Sequence, residues 1–323
     1  QLIDPPSVEA ADYVKEHALV DTLLHLKGNS RGCVYTEPLW GIPYNLYSPY
    51  FSVFMVTLGV TDREIGVIAT ISMLSQILFS LLGGVITDKL GRRLTTLIFD
   101  ILAWGIPVAI WAIAENFYYF AVAAAINGIF RVTANSWTCL LVEDCEKEKI
   151  VDIFTWVYIS GLGAAMLAPL TGLFIKMSNL ESTMRMIFVV TFVMMMTKFI
   201  LLYFISTETQ QGLQKLHETK GVSLFRLMHG YSGIIRLILC TPETMFTLAL
   251  MIIMNVVSTL NGSFWGVIVT GNIGISSVWI GLFPFLKSIV MFIFFFYIIP
   301  KIKVNRFRKP LVIGFMLLLS SET

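Results

Sequence analysis

Four ionisable residues interrupt long apolar stretches of the chain. They are Asp100, Arg131, Lys198 and Lys287. A charge is costly inside a hydrocarbon layer, so such residues mark a solute pathway, a proton relay or a buried ion pair. At a rise of about 1.5 Å per helical residue, Arg131 and Lys287 lie deepest within their stretches. These four positions predict either contacts with a transported solute or ion pairs between helices.

The charges of Asp100 and Arg131 have two interpretations. Arg131 could contact the solute together with Asn127 and Asn135, which lie one helical turn to either side on the same face. Alternatively, Arg131 pairs with Asp100 on the adjacent helix, and both charges are then structural. Lys198 is predicted to be paired, or to extend its ammonium group towards the membrane interface.

Rings, amides and one lysine supply further candidate contacts with a solute. They are Tyr44, Asn45, Tyr47, Asn255, Asn261, Trp265 and Lys287. Rings and amides that converge at mid-depth suit sugars and other polar solutes. The cations Arg131 and Lys287 instead favour an anionic solute, such as an organic acid or a phosphorylated compound. The sequence leaves the choice between these two classes open.

Composition indicates a membrane protein. Hydrophobic residues make up 56% of the chain and charged residues 14%, whereas soluble domains carry about 25% charged residues. A net charge of +2 lacks the basic field of nucleic-acid-binding proteins. The four cysteines form no Cys-x-x-Cys pair, and no phosphate-binding glycine loop is present. We therefore expect no metal, no cofactor and no enzymatic activity.

Apolar runs of about 20 residues predict an all-α bundle of membrane helices. Eight runs and a partial ninth lie near 39–60, 64–86, 94–114, 117–141, 152–176, 185–206, 244–270, 276–300 and 310–320. Thr61 and Glu64 predict a capping box at the start of the second helix, and Pro107 and Pro169 should kink the third and fifth. The predicted segments are an amino-terminal polar segment 1–38, a six-helix bundle 39–206, a linker 207–243 and the start of a second bundle 244–323.

The charged turn, residues 84–93, joins the second and third predicted helices. It reads Gly-Val-Ile-Thr-Asp-Lys-Leu-Gly-Arg-Arg. Small residues allow close helix contact, Asp88 can cap or pair with a helix end, and Gly91 lets the chain reverse. Lysine and arginine concentrate on the side of the bundle that holds this turn, which predicts a cytoplasmic turn and a cytoplasmic amino terminus.

In this position the charged turn resembles the signature loop of the major facilitator superfamily of transporters. The matching residues are Gly84, Asp88, Lys89, Gly91, Arg92 and Arg93. The resemblance implies two six-helix halves that rock around a central site, with a gating role for these six residues. Glu143, at the end of the fourth helix, could pair with Arg92 and latch one conformation. The basic run 301–309 occupies the place of the loop's repeat, without its Asp or Gly.

Together these features predict a secondary active transporter, symporter or antiporter, that moves a sugar or an organic anion by alternating access. Asp100, Arg131 and Glu143 could couple transport to protons. One alternative is a membrane sensor that binds a solute without moving it. Another is a drug or metabolite efflux antiporter, weakly supported by Ala168-Pro169 followed by Gly172. We expect a monomer in the lipid bilayer, as a multi-pass protein of the bacterial inner membrane.

Overall fold

The computed structural model describes residues 21–223, 227, 240–298 and 316. All regular structure in these ranges is helical, which confirms the predicted all-α class. The basic run 301–309 and, apart from Met316, the predicted ninth helix lie outside the described residues.

Seven described helical stretches are long and apolar enough to cross a membrane. Span 2 is Asp62–Leu90, span 3 Arg92–Ala112, span 4 Phe117–Val142, span 5 Lys147–Met177, span 6 Leu180–Ile205, span 7 Thr244–Asn272 and span 8 Ser277–Phe296. They follow in the predicted order, and a segmented helix at 28–57, span 1, precedes them. The chain is therefore a multi-pass membrane protein.

Span 1 begins earlier than expected and consists of short helices. Gly28–Thr36, Pro38–Tyr47 and Phe51–Thr57 are α-helical, and Ser48–Tyr50 forms a 3₁₀ turn. Prolines divide the span because they lack the N–H that a continuous helix needs. The boundary between the amino-terminal segment and the first bundle, expected at residue 38, therefore lies near Gly28. Residues 28–37 belong to the bundle, since Cys33 and Val34 are buried against Leu140 and Leu141.

Several of the other spans contain local breaks. Their helical pieces are Arg92–Asp100 and Ile106–Ala112 in span 3, Phe117–Asn127 and Phe130–Val142 in span 4, Ile150–Ala165 and Pro169–Met177 in span 5, Pro242–Val267 in span 7 and Leu282–Ile293 in span 8. Single π-helical turns occupy Ile101–Gly105, Ile268–Asn272 and Phe294–Ile298. Such turns concentrate at functional positions, and the first lies directly between Asp100 and Pro107.

The ends of span 2 follow from local sequence chemistry. The backbone N–H of Thr61 donates to Glu64 Oε2 at 2.8 Å, and the N–H of Glu64 donates to Thr61 Oγ1 at 3.4 Å. This is the predicted capping box. At the other end Gly91 has φ +83°, a conformation that other residues rarely adopt. The chain therefore reverses at Gly91 and enters span 3 at Arg92.

Spans 2 and 4 approach each other closely through glycines. A Cβ built on Gly83 would lie 3.3 Å from the carbonyl oxygen of Arg131, and one on Gly128 would collide with Ser75 Oγ. The absence of a side chain at both positions allows these helices to approach closely. At Gly83 the nearest atoms belong to the backbone of span 4, and at Gly128 they belong to Ser75 and the Gln76 backbone of span 2.

Spans 1, 5, 7 and 8 meet at the end of the bundle opposite the charged turn. The N–H of Gly281 donates to the buried Tyr50 Oη at 2.9 Å. Added Cβ atoms at Gly172 and Gly266 would collide with the Val278 carbonyl oxygen and Ser52 Oγ. The first six spans are thus closed against spans 7 and 8 at this end.

Candidate functional site

Arg92 is the centre of a charged cluster at the charged turn. Its Nε lies 3.0 Å from Glu143 Oε2, and its Nη1 lies 3.1 Å from Asp88 Oδ1. Only 6% of the Arg92 side chain is exposed. The contact between Arg92 and Glu143 expected from the sequence is therefore formed. It links the start of span 3 to the end of span 4.

The connecting segment, residues 206–223, contacts this cluster. The Glu208 carboxylate accepts hydrogen bonds from the backbone N–H groups of Arg92 at 2.8 Å and Arg93 at 3.1 Å. Thr209 Oγ1 donates to Glu143. The same Thr209 caps the connecting helix, Gln210–Glu218. Sequence reasoning missed both residues, although Thr-Glu-Thr directly before a polar helix is a capping signal.

The remaining residues of the charged turn also have structural partners. Lys89 Nζ donates to the carbonyl oxygen of Val222. Arg93 Nε donates to the carbonyl oxygen of Tyr203 at 2.8 Å, and its guanidinium lies 4.0 Å from the centre of the Tyr203 ring. Gly84 is half-buried within span 2. The turn is thus bound to span 6 and to the connecting segment at several points.

Opposing effects determine the acidity of Glu143. Burial raises the pKa of this carboxyl group, but hydrogen bonds from Arg92 and Thr209 and the charge of Arg92 outweigh burial. The pKa of Glu143 therefore lies below its ordinary value, and the carboxylate form is favoured.

A cavity of about 630 Å³ lies among spans 1, 2, 3, 4, 6 and 7. Nine aromatic side chains line it, namely Trp40, Tyr44, Tyr47, Phe51, Trp104, Trp111, Phe120, Phe130 and Trp137. Trp40 stacks on Tyr44 with ring centres 4.7 Å apart, and Trp104 meets Trp40 edge-on at 5.2 Å. We call this space the aromatic cavity. Its size and lining are those of a small-molecule site.

Charged residues line one wall of the aromatic cavity. Lys198 Nζ lies 2.7 Å from Glu37 Oε2, and Asp100 also lines the wall. The Lys198 ammonium lies 5.8 Å from the centre of the Trp40 ring and 5.5 Å from that of Trp137. Lys198 is therefore paired, one of the two outcomes that its sequence position allowed.

Asp100 and Arg131 do not pair with each other in the structure. Asp100 accepts a hydrogen bond of 2.6 Å from Thr133 Oγ1, whereas Arg131 Nη2 donates to Gln76 Oε1 at 2.8 Å. Residues 131 and 133 point to different faces of span 4, because side chains two positions apart in a helix are rotated by about 200° around its axis. Arg131 thus faces span 2, and only the face of Thr133 reaches Asp100. The Asp100–Arg131 ion pair, one of the two interpretations of these charges, is wrong.

Some of the predicted solute contacts line the aromatic cavity and others do not. Tyr44, Tyr47 and Asn127 do. Asn45 donates to the carbonyl oxygen of Gly41, and Asn135 donates to Thr87 Oγ1. Arg131, Asn255, Asn261, Trp265 and Lys287 are not among the residues that line the cavity. Span 7 instead contributes Ser258, Thr259, Gly262 and Ser263.

Span 1 carries a stripe of cavity-lining residues. Tyr44 and Tyr47 were predicted from the sequence, whereas Glu37, Trp40 and Phe51 were missed. Glu37, Trp40, Tyr44, Tyr47 and Phe51 recur every three or four residues and all line the cavity. This spacing places them on one helical face. The stripe was detectable, but the interpretation of residues 1–38 as a separate polar segment separated Glu37 from it.

Comparison with known proteins supports a membrane-transport family. Residues 40–321 match the model of the Major Facilitator Superfamily. The chain is 27% identical over 158 residues to the multi-drug resistance efflux pump PmrA of Streptococcus pneumoniae, a match covering 48% of this chain and 39% of the relative. It is 26% identical over 146 residues to the multidrug resistance protein MdtG of Rahnella sp., a match covering 44% of this chain and 34% of MdtG. It is 29% identical over 84 residues to the quinolone resistance protein NorA of Staphylococcus aureus, a match covering 26% of this chain and 21% of NorA.

The matched parts therefore span less than half the length of these relatives. The family model itself covers most of this chain, from the first span to beyond the eighth. The helical bundle and the charged turn between spans 2 and 3 agree with that match. The chain belongs to the Major Facilitator Superfamily, whose members are transporters and not enzymes.

Proposed function

We propose that this transporter exports lipophilic aromatic compounds from the cell. The observation that carries the proposal is the aromatic cavity, where nine rings surround about 630 Å³. Ring faces and edges bind planar apolar molecules through burial and favourable ring geometry. Hydrogen-bonding side chains also line the cavity, among them Gln76 and Asn127. Such a lining accepts compounds of varied shape that share an aromatic, poorly hydrated surface.

The charges of the cavity favour this class over the sugar or organic anion expected from the sequence. The cavity holds the carboxylates of Glu37 and Asp100 and the ammonium of Lys198. Arg131 and Lys287, the two cations predicted to bind an anionic solute, are not among the residues that line the cavity. The names of the relatives, two multidrug resistance proteins and a quinolone resistance protein, support the same choice.

Transport would proceed by rocking of two helical halves, residues 28–206 and 244–323, joined through 207–243. The contacts between Tyr50 and Gly281 would close one end of the pathway, and the Arg92 cluster would regulate the other. We propose a monomer in the bacterial inner membrane with the charged turn in the cytoplasm, as the distribution of lysine and arginine supports. Exchange for protons would supply the driving force.

Efflux of the neutral dye Nile red from loaded bacteria tests the proposal. Cells that express the full chain should lose the dye faster than cells that express Trp104→Ala, because that change removes a central ring of the cavity. Tyr118→Ala is the matched control, since Tyr118 is 74% exposed and lies outside the cavity; it should behave as the parent does.

Equal Nile red efflux by the parent and by cells without the protein would contradict the proposal. Accumulation of a labelled sugar or dicarboxylate in proteoliposomes, unaffected by Trp104→Ala, would restore the expectation of a polar solute.

A further inference from the structure

We propose that the residues around Lys198 form a binding site for an organic cation, and that the Lys198 ammonium occupies this site when no such cation is bound. The site consists of the Glu37 carboxylate and the rings of Trp40 and Trp137, which we call the lysine cage. The inference rests on the proposed function, because it specifies the charge of the aromatic compounds that the cavity would accept.

The lysine cage has the composition of a cation site. The carboxylate of Glu37 lies 2.7 Å from the ammonium, and ring centres lie 5.5 Å and 5.8 Å from it on Trp137 and Trp40. Tryptophan is the aromatic side chain that attracts cations most strongly, and desolvation strengthens the attraction. Only 6% of the Lys198 side chain and 12% of the Glu37 side chain are exposed. The cage is therefore a desolvated site already filled by a cation of the chain itself.

The charge in the cavity wall leaves room for a second cation. Among the described residues that line the cavity, Glu37 and Asp100 face one cation, Lys198. The other groups close to them are Cys33 from span 1, which is fully buried, and Thr133 and Trp137 from span 4. These groups are uncharged in their ordinary states, so the wall has one carboxylate in excess. Occupation by an organic cation would neutralise that excess.

Asp100 offers Lys198 a second position. Asp100 is buried, accepts one hydrogen bond from Thr133 Oγ1 at 2.6 Å, and interacts electrostatically with both Lys198 and Glu37. The four-carbon stem of a lysine lets its ammonium change partners without movement of the backbone. If the ammonium moves to Asp100, Glu37 and the two rings become available. The structure thus supports exchange of an internal cation for a transported one.

A pair of matched probes tests the inference by equilibrium binding to the purified full chain in detergent. Methyltriphenylphosphonium carries one positive charge, and triphenylphosphine oxide has a similar shape and no charge. Lys198→Met removes the internal competitor and should tighten phosphonium binding about tenfold through the vacated rings and carboxylate. It should leave the affinity for the phosphine oxide unchanged. Lys198→Arg keeps a competing cation and should bind the phosphonium as the parent does.

Two further variants keep the test informative if Lys198→Met does not fold. Lys198→Gln should show the same gain for the phosphonium. Glu37→Gln removes the carboxylate of the cage and should abolish the preference for the phosphonium while binding of the phosphine oxide is retained.

The outcomes separate the two proposals. Binding of the phosphine oxide, without any gain for the phosphonium in Lys198→Met or Lys198→Gln, would overturn the cation site and leave the aromatic cavity standing. Loss of phosphonium binding in those variants would likewise overturn it, because Lys198 would then support the ligand. Failure of the parent and the variants to bind either probe would contradict the proposed function itself and this inference with it.

Discussion

The side-chain amide of Asn127 donates a hydrogen bond of 2.7 Å to the carbonyl oxygen of Ala103. Pro107, four residues after Ala103, has no N–H and cannot supply the helical hydrogen bond to this carbonyl. A π-helical turn at Ile101–Gly105 lies at the same place. Asn127, predicted as a solute contact, therefore also satisfies a polar group that the proline of a neighbouring span leaves unpaired.

The first prediction concerns this bond. Asn127→Ala should destabilise the protein by about 1–3 kcal/mol, because a buried carbonyl loses its partner. Thermal unfolding in detergent measures the loss. Pro107→Ala restores an N–H near Ala103, so the double variant should be less destabilised than the sum of the single changes. Additive effects in the double variant would show that Asn127 acts elsewhere.

The second prediction concerns Asp88 in the charged turn. Asp88→Asn should slow transport while protein abundance stays near normal, because Arg92 keeps its hydrogen bonds to the Glu143 carboxylate and therefore remains paired. Initial rates of Nile red efflux, normalised to the amount of protein in the membrane, measure the effect. Parental rates would remove the gating role and leave a structural turn.

The third prediction concerns pH. The folded pKa of Glu143 lies below its ordinary value of 4.5, so the folded state binds this proton less readily than the unfolded state. The resulting stabilisation is complete above about pH 4.5 and is lost as the pH falls through the lower folded pKa. Glu143→Gln should therefore be less stable than the parent at pH 6, and the difference should shrink as the pH falls below 4. A difference independent of pH would exclude a titrating Glu143.

The fourth prediction concerns the contact between Glu208 of the connecting segment and the start of span 3. Glu208→Ala removes the acceptor for two backbone N–H groups at the start of span 3 and should cost about 0.5–2 kcal/mol, as other helix caps do. Hydrogen exchange of residues 210–218 should accelerate. Glu218→Ala is the control, because Glu218 is exposed and pairs with Lys215 within the same helix. Equal acceleration in both variants would show that Glu208 does not hold the connecting helix against span 3.

The fifth prediction compares two glycines. Gly128→Ala should destabilise the protein by about 1–3 kcal/mol, because its Cβ would collide with the Ser75 side chain and lie 2.9 Å from the Gln76 backbone nitrogen, which forces spans 2 and 4 apart. A Cβ at Gly161 would meet nothing within 4 Å, so Gly161→Ala should be neutral or stabilising. Thermal unfolding of both variants checks the contrast, and a neutral Gly128→Ala would mean that the spans can separate without cost.

The sequence by itself determined the properties that depend on local chemistry. Runs of apolar residues long enough to cross a membrane, the Thr61–Glu64 capping box and the reversal at Gly91 were predicted correctly, because each depends on neighbouring residues alone. The charged turn also identified the family, since its residues are fixed in order and spacing. The partnership of Arg92 with Glu143 could be expected once both were placed at helix ends on the same side of the membrane.

Only the tertiary structure decided which polar groups meet inside the bundle. Partner choice depends on the rotation of each helix about its axis, which apolar periodicity defines poorly in a chain that is apolar on most faces. For this reason Arg131 binds Gln76 and Asp100 binds Thr133, whereas the sequence left a pair between Asp100 and Arg131 open. The same rotation brings Glu37 to Lys198 across 161 residues of sequence. It also turns nine rings from three spans towards one cavity, a convergence that no local sequence pattern specifies.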